Sequence, residues 1–152
     1  MTVKSKELSA SLILVNDKLH FRSQAGENEP ISIDYTPPLG DNLGYTSLEL
    51  FLLSISSCIG SSVLTFLRKM RKSITGFEIH SKGIRREEHP TCFKLILLTI
   101  NLESADTTEE DIIKVIKLSE DTYCPVWAMI KGNVKVEIKY NITCNNVISL
   151  SE

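Results

Sequence analysis

Short stretches of alternating hydrophobic and polar residues predict six β-strands in this chain. Alternation with a period of two places every second side chain on one face of a sheet. Three strands are expected near the N-terminus, two long ones on either side of a turn at residues 88–91, and one near the C-terminus. The expected ranges are 7–15, 19–22, 31–35, 74–88, 92–102 and 134–140, with a loop at 36–44 and a tail from Cys144 onward.

A long helix that is apolar around nearly its whole circumference is predicted between the third and fourth strands. Thr46 and Glu49 fit a capping box, in which a hydroxyl and a carboxylate each bind a free backbone N–H at the start of a helix. From there to Thr65 apolar residues occur on every side, which predicts burial all round. Small residues that would let a second helix approach closely recur at helical spacing: Ser54, Ser57, Gly60 and Ser61.

Two further helices are predicted before the last strand. Residues 107–118 combine an acidic first turn with apolar residues at amphipathic spacing, and 125–131 begin with Pro125, which suits the first helical position. The resulting order, βββαββααβ, groups the strands rather than alternating them with helices. It favours an α+β fold with a largely antiparallel sheet around a long central buried helix. The length of 152 residues predicts a single domain, 1–152.

Composition and motifs narrow the functional classes. A net charge of −2 gives no basic surface for nucleic acid. We expect neither a cofactor nor a metal, because the sequence contains no phosphate loop, dinucleotide motif or paired set of metal ligands. The N-terminus does not have the pattern of a signal peptide, and four cysteines without a CxxC pair do not predict a disulfide scaffold. A cytoplasmic protein with reduced thiols is therefore expected.

The long apolar helix also raises the alternative of a membrane span. Residues 48–67 are about long enough to cross a bilayer, and a basic cluster follows them at 68–72. Serines, a glycine and Glu49 within this stretch lower the drive for insertion, so we expect no membrane association. A spanning protein would instead show solubility that depends on detergent.

Two of the cysteines lie in settings that the other two lack. Cys124 precedes Pro125 and would be the N-cap of the short helix, where free backbone N–H groups and the helix dipole lower a thiol pKa. Cys58 lies inside the apolar helix, where its neighbours would raise the pKa. For either thiol the alternative is an inert cysteine packed as a small hydrophobic residue.

Several motifs occur along the chain in a characteristic order. A Leu-Glu-Leu run opens the long helix that contains Cys58, Arg-Arg-Glu-Glu-His-Pro lies at the strand turn, and Leu-Ser-Glu-Asp-Thr-Tyr-Cys-Pro-Val precedes the short helix. From about Leu12 to Tyr140 the chain resembles the OsmC/Ohr family, the osmotically inducible and organic hydroperoxide resistance proteins. The resemblance implies an intertwined homodimer with two equivalent sites at the subunit interface.

The resemblance also implies a chemistry for the two cysteines. In peroxidase members of the family, the helical cysteine attacks an organic hydroperoxide and becomes a sulfenic acid. The cysteine before proline then forms a disulfide with it, and a cellular dithiol reduces that disulfide. Carried over to this sequence, Cys58 would be the peroxidatic and Cys124 the resolving cysteine.

This chain departs from the peroxidase pattern at two charged positions. The family arginine lies in the loop before the helix, and residues 36–40 contain none; Arg22, Arg85 and Arg86 do not match the motif. The family glutamate lies at the position of Leu48. Glu49, one residue later, would project from the opposite face of the helix to Cys58, roughly 13 Å away along its axis.

Two functional hypotheses therefore stand side by side. The favoured one is thiol-dependent reduction of organic hydroperoxides by Cys58 and Cys124. Glu49 is a further candidate catalytic residue that would act from the other subunit, unless it serves only as a helix cap. The alternative is a non-enzymatic dimer that binds a small apolar or thiol-reactive ligand.

Overall fold

The computed structural model of this protein describes residues 7–144, so the predicted tail beyond Cys144 lies outside the described residues. Contacts divide the chain into two compact units, Met1–Phe51 and Leu52–Glu152, with the boundary inside the long helix. Each unit holds one three-stranded sheet. The single domain 1–152 stays a prediction.

The α+β fold class and the predicted order of elements are confirmed, with one π-helix in addition. The strand ends differ from the predicted ones by a few residues: β1, β3 and β4 end earlier than predicted, whereas β2, β5 and β6 continue past their predicted ends. In chain order the elements are β1 (Ala10–Leu14), β2 (Phe21–Ala25), β3 (Ile31–Ile33), α1 (Ser47–Lys69), β4 (Ile74–Arg85), β5 (Phe93–Ser104), α2 (Glu109–Leu118), the π-helix (Ser119–Tyr123), α3 (Pro125–Ile130) and β6 (Lys135–Thr143).

The first unit contains an antiparallel sheet with the order β1-β2-β3. After β3, the loop toward α1 is organised by one buried carboxylate, that of Asp34. It accepts three backbone N–H bonds, from Tyr35 at 2.7 Å, Asp41 at 3.1 Å and Leu43 at 3.0 Å. Gly40 fits against it because any Cβ at that position would lie 2.1 Å from the Asp34 carboxylate. The Asp34 carboxylate thus fixes the conformation of this loop.

Helix α1 begins at the predicted capping box. The Glu49 carboxylate accepts hydrogen bonds from the Thr46 backbone N–H at 2.7 Å and from the Thr46 hydroxyl at 2.9 Å. In return, the Glu49 N–H donates to the Thr46 hydroxyl at 3.4 Å. These bonds occupy donors at the helix start that have no partner within the helix itself.

The second unit contains a mixed sheet with the order β4-β5-β6. β4 and β5 pair antiparallel across the predicted turn, whereas β5 and β6 pair parallel. A parallel pair needs a crossover between its strands, and α2, the π-helix and α3 form it. The sheet packs closely on α1 at Gly60, where a Cβ would lie 3.2 Å from the side chains of Phe77 and Ile79. The missing side chain of Gly60 therefore allows a strand to approach α1, whereas the sequence predicted the approach of a second helix.

Burial of α1 differs from the expectation of an all-round buried helix. In the single chain, one stripe of α1 is fully buried: Ile55, Ile59, Val63 and Leu67. The opposite stripe is exposed and carries small hydroxyl residues: Ser54, Ser57, Ser61 and Thr65. Within the described residues, α1 is the helix that is long and apolar enough to cross a membrane. Core helices of soluble proteins have the same length and apolar character.

The loop after β3 provides the first testable prediction. Burial acts to raise the pKa of Asp34, but the N–H bonds from Leu43, Tyr35 and Asp41 outweigh it and lower the pKa below its ordinary value. A lowered pKa stabilises the fold above the pKa of the unfolded chain, and this contribution is lost as pH falls through the folded-state pKa. We expect Asp34→Asn to melt at a lower temperature than wild type at about pH 7, and the difference to shrink by about pH 3.

Thermal unfolding followed by circular dichroism measures this difference. Asp41→Asn is the matched control, since the Asp41 side chain pairs with Lys18 at the surface while its backbone N–H still binds Asp34. An equal loss of melting temperature for Asp34→Asn at both pH values would contradict the role given to the charge.

Candidate functional site

The segment that follows α2 sets the position of Cys124. At Ser119 the backbone changes from α-helical to π-helical hydrogen bonding, and the Cys124 N–H donates to the Ser119 carbonyl at 2.9 Å. Ser119 is fully buried, and its hydroxyl donates to the Val115 carbonyl at 2.8 Å. A π-turn accommodates an extra residue in a helix and is frequent at functional sites. The sequence analysis did not predict this element.

Cys124 is the N-cap of α3, as predicted. Its backbone is extended, Pro125 occupies the first turn of the helix, and its Sγ accepts a hydrogen bond from the Trp127 N–H at 3.3 Å. The side chain is 3% exposed. The thiol is thus fixed in a buried position at the mouth of a short helix.

The structure brings Cys58 and Cys124 together. The two side chains are close enough for Cys58 to raise the pKa of Cys124, and both cysteines are free thiols. A second contact lies further along the same face of α1, where the rings of Phe66 and Tyr123 are 4.7 Å apart between centroids. Because Cys58 and Phe66 are separated by two steps of four residues, they share one side of the helix. The segment before α3 therefore lies along α1, with the thiols at one end of the contact.

The pKa of Cys124 differs in direction from the prediction. Burial and the neighbouring Cys58 raise it to about 12, outweighing the N–H groups of Trp127 and Val126, which lower it. The expectation that the N-cap position gives a low pKa is therefore wrong. The helix has six residues, so its dipole is short, whereas removal of a thiolate from water is costly. A thiol with so high a pKa keeps its proton at neutral pH, and Cys58 is one of the groups that raise it.

Glu49, the third predicted site residue, lies in the first unit, where its carboxylate is engaged by Thr46. The backbone and hydroxyl hydrogen bonds from Thr46 lower the pKa of Glu49. A carboxylate with a lowered pKa holds its proton poorly, which disfavours a role as a general acid. Its catalytic role stays a prediction.

The three candidates for the missing family arginine either lie in the first unit or donate hydrogen bonds to residues close to them in sequence. In the second unit, Arg85 donates to the carbonyl and hydroxyl of Thr91, and Arg86 donates to the carbonyl of Pro90. Both guanidinium groups thus bind the turn between β4 and β5. Arg22 lies on β2 in the first unit.

A family model described as OsmC-like protein matches residues 40–139. The chain belongs to this family. Among curated relatives, Protein YhfA of Escherichia coli strain K12 is 26% identical over 95 residues, which span 62% of this chain and 71% of YhfA. The resemblance stated from the sequence is therefore confirmed at the level of the family.

Solved structures agree with this assignment. A hypothetical protein from Aquifex aeolicus VF5 has a TM-score of 0.80 and 28% identity, covering 91% of this chain and 98% of its own. The organic hydroperoxide resistance protein OhrB of Bacillus subtilis has a TM-score of 0.62 and 16% identity, covering 89% and 98%. At this identity the likeness to OhrB shows a common fold.

The thiol pair of this OsmC-like protein leads to a prediction about ionisation. In a chain with Cys92→Ser and Cys144→Ser, we expect the further change Cys58→Ser to lower the pKa of Cys124. The physical reason is that the neighbouring Cys58 contributes to raising that pKa. Burial remains, so the pKa should stay above that of an exposed thiol.

Ultraviolet absorbance of the thiolate, followed during a pH titration, measures this change. The parent chain with Cys58 intact is the comparison, and circular dichroism verifies that both chains are folded. An unchanged pKa of Cys124 after Cys58→Ser would show that the two thiols do not interact as described.

Proposed function

We propose that this OsmC-like protein is a thiol-dependent peroxidase that reduces organic hydroperoxides through Cys58 and Cys124. The observation that carries the proposal is the proximity of the two thiols, close enough that Cys58 raises the pKa of Cys124. Thiols in contact need only a small rearrangement to form a disulfide, a bond with strict limits on distance and angle. The name of the structural relative OhrB, an organic hydroperoxide resistance protein, supports the choice of substrate.

In the first step, the Cys58 thiolate attacks the terminal oxygen of the hydroperoxide. An S–O bond forms, the O–O bond breaks, and the other oxygen leaves as an alkoxide that takes up a proton to become the alcohol. Cys58 is then a sulfenic acid. The peroxide is reduced by two electrons, and the sulfur loses them.

The protonation of Cys124 supports this division of roles. A thiol whose pKa is raised to about 12 by burial and by Cys58 remains S–H at neutral pH. Cys124 therefore suits the resolving role, and the peroxidatic role falls to Cys58, as the family resemblance implies.

In the second step, Cys124 attacks the sulfur of the Cys58 sulfenic acid. An S–S bond forms and the sulfenic oxygen leaves as water, taking up the thiol proton. A cellular dithiol then reduces the disulfide by exchange and is itself oxidised to a disulfide. Both cysteines return to thiols.

We also propose that the protein is a cytoplasmic homodimer. The exposed stripe of α1 supports this, because its side chains are small and three of its hydroxyls donate to carbonyls of their own helix: Ser57, Ser61 and Thr65. Such a surface leaves few unsatisfied donors and permits the close approach of another helix. A second subunit would cover the apolar residues beside the stripe and could present its own Glu49.

A second candidate is a non-enzymatic OsmC-like dimer that binds a small apolar or thiol-reactive ligand. The absence of an arginine in residues 36–40 favours it, since an ion pair is the usual device for activating a buried thiol. This candidate predicts thiols that survive exposure to hydroperoxide.

The peroxidase proposal predicts consumption of tert-butyl or cumene hydroperoxide in the presence of a dithiol. We expect Cys58→Ser to abolish turnover and Cys124→Ser to slow it, because the sulfenic acid then lacks its internal partner and depends on the external dithiol for its reduction. Cys92→Ser, at a partly exposed position beside the β4–β5 turn, is the matched control and should retain wild-type activity. Equal turnover in wild type and Cys58→Ser would refute the assignment.

Intact mass after addition of one equivalent of peroxide tests the intermediate. Wild type should lose two hydrogens, with the change mapped to a peptide pair containing Cys58 and Cys124. Oxygen addition at Cys92 or Cys144 with both site thiols unchanged would favour the ligand-binding candidate.

The dimer proposal predicts that a large charged residue on the exposed stripe of α1 will weaken association. We expect Ser61→Arg to shift the protein toward the monomer, because the guanidinium would occupy the space needed by the second helix. Sedimentation velocity at several concentrations measures this, with Asn133→Arg in the exposed turn after α3 as the control. A wild-type protein that is monomeric throughout would contradict the proposal.

A further inference from the structure

A groove on the second unit lies between α2 and β6, and neither of the two site thiols lines it. Ile113 and Ile116 lie three residues apart on α2, so they share one side of the helix. Ile138 and Tyr140 alternate along β6 and share one face of the sheet. Together these side chains give an apolar lining to a volume of about 340 Å³, within the range of pockets that bind small molecules.

Glu120 brings a carboxylate to this groove from the first turn of the π-helix. The residue is partly buried, and among residues 7–144 its side chain forms neither a hydrogen bond nor an ion pair. Burial and the neighbouring Asp121 raise the pKa of Glu120 above its ordinary value, and Lys131 offsets them only in part. A carboxylate that has lost part of its water is stabilised by a cation beside it. This carboxylate therefore favours a positively charged ligand.

The other polar groups in and around the groove are engaged with each other or exposed. The Nζ of Lys131 lies 4.0 Å from the Asp121 carboxylate, and the Tyr140 hydroxyl donates to Glu109 at 2.7 Å. Lys117 is exposed and forms no ion pair with a residue that the structure describes. The groove thus combines an apolar lining with two carboxylates and one ammonium group of its own. Its complement is an apolar molecule that carries a single positive charge.

We propose that this groove binds a small apolar primary amine, with the ammonium group on the Glu120 carboxylate and the hydrocarbon body against the three isoleucines. A primary ammonium group has three donors and keeps its proton at neutral pH. The inference goes beyond the proposed peroxidase function, since no step of that reaction uses the groove. Glu120 lies four residues before Cys124 in the same segment, so a ligand here would contact the element that positions the resolving thiol.

Methyl NMR with 2-phenylethylamine tests this binding, because the aromatic ring of the ligand shifts the resonances of nearby methyl groups. We expect the methyl resonances of Ile113, Ile116 and Ile138 to move during the titration. Those of Ile55, which is fully buried on α1, should stay in place. Groove resonances that do not respond to the amine would overturn the inference.

A neutral ligand of the same shape separates the charge from the apolar contact. We expect 2-phenylethanol to bind with a dissociation constant about tenfold larger than that of the amine, the value of one hydrogen bond between charged groups. Equal affinities for the amine and the alcohol would show that no carboxylate recognises the ammonium group, and would overturn the inference.

Two matched variants assign the charge to a residue. Glu120→Gln keeps the size of the side chain, and we expect it to weaken binding of the amine by about tenfold without changing binding of the alcohol. Glu110→Gln, an exposed position in the first turn of α2, is the control and should bind the amine as wild type does. An equal loss in both variants would contradict a specific role for Glu120.

The pH dependence of binding provides a further arm. We expect the affinity of wild type for the amine to fall as pH decreases from about 7 to about 4.5, because Glu120 loses its charge while the amine keeps its own. The loss should begin at a higher pH than an ordinary glutamate would give, since burial raises the pKa of Glu120. In Glu120→Gln the affinity should not change over this range. The same decline in both proteins would assign it to another group and overturn the inference. All arms measure binding and not turnover, so failure of the peroxidase proposal would leave them unaffected.

Discussion

The contact between Cys58 and Cys124 is the interaction on which the proposed chemistry depends. It joins the middle of α1 to the start of α3, two elements that are far apart in the sequence. Helix α1 is held by packing on the sheet, where the missing side chain of Gly60 leaves space for Phe77 and Ile79. The position of Cys58, and with it the proposed chemistry, thus depends on how closely α1 can approach the sheet.

Two opposing effects act on Cys124, and their relative size gives the two thiols different characters. Backbone N–H groups at the helix start favour the thiolate, whereas burial and the neighbouring sulfur favour the thiol and prevail. A pair with equal environments would share its proton and provide no fixed order of attack. The burial of Cys124 gives an asymmetry, because its thiol keeps its proton, and the proposed function assigns the attack on the peroxide to the other sulfur.

Local chemistry explains which parts of the molecule were predictable from sequence. The capping box of Thr46 and Glu49 and the N-cap position of Cys124 depend on neighbouring residues, and both are present in the structure. The direction of the Cys124 pKa shift was not predictable, because it depends on burial by distant residues. The one-sided burial of α1 was not predicted for a related reason. Apolar composition shows that a face can be buried, but not whether residues of the same chain cover it. The parallel pairing of β6 also depends on packing beyond its own alternation.

The π-helix has a consequence for the direction in which Cys124 faces. A π-turn holds one more residue than an α-turn over nearly the same rotation of the chain. If the same five residues, Ser119–Tyr123, took α-helical bonding instead, everything after them would turn about the helix axis by roughly 100°. The sulfur of Cys124 would then leave the side of the chain that faces α1. The backbone bonding of this short stretch thus decides where the thiol points.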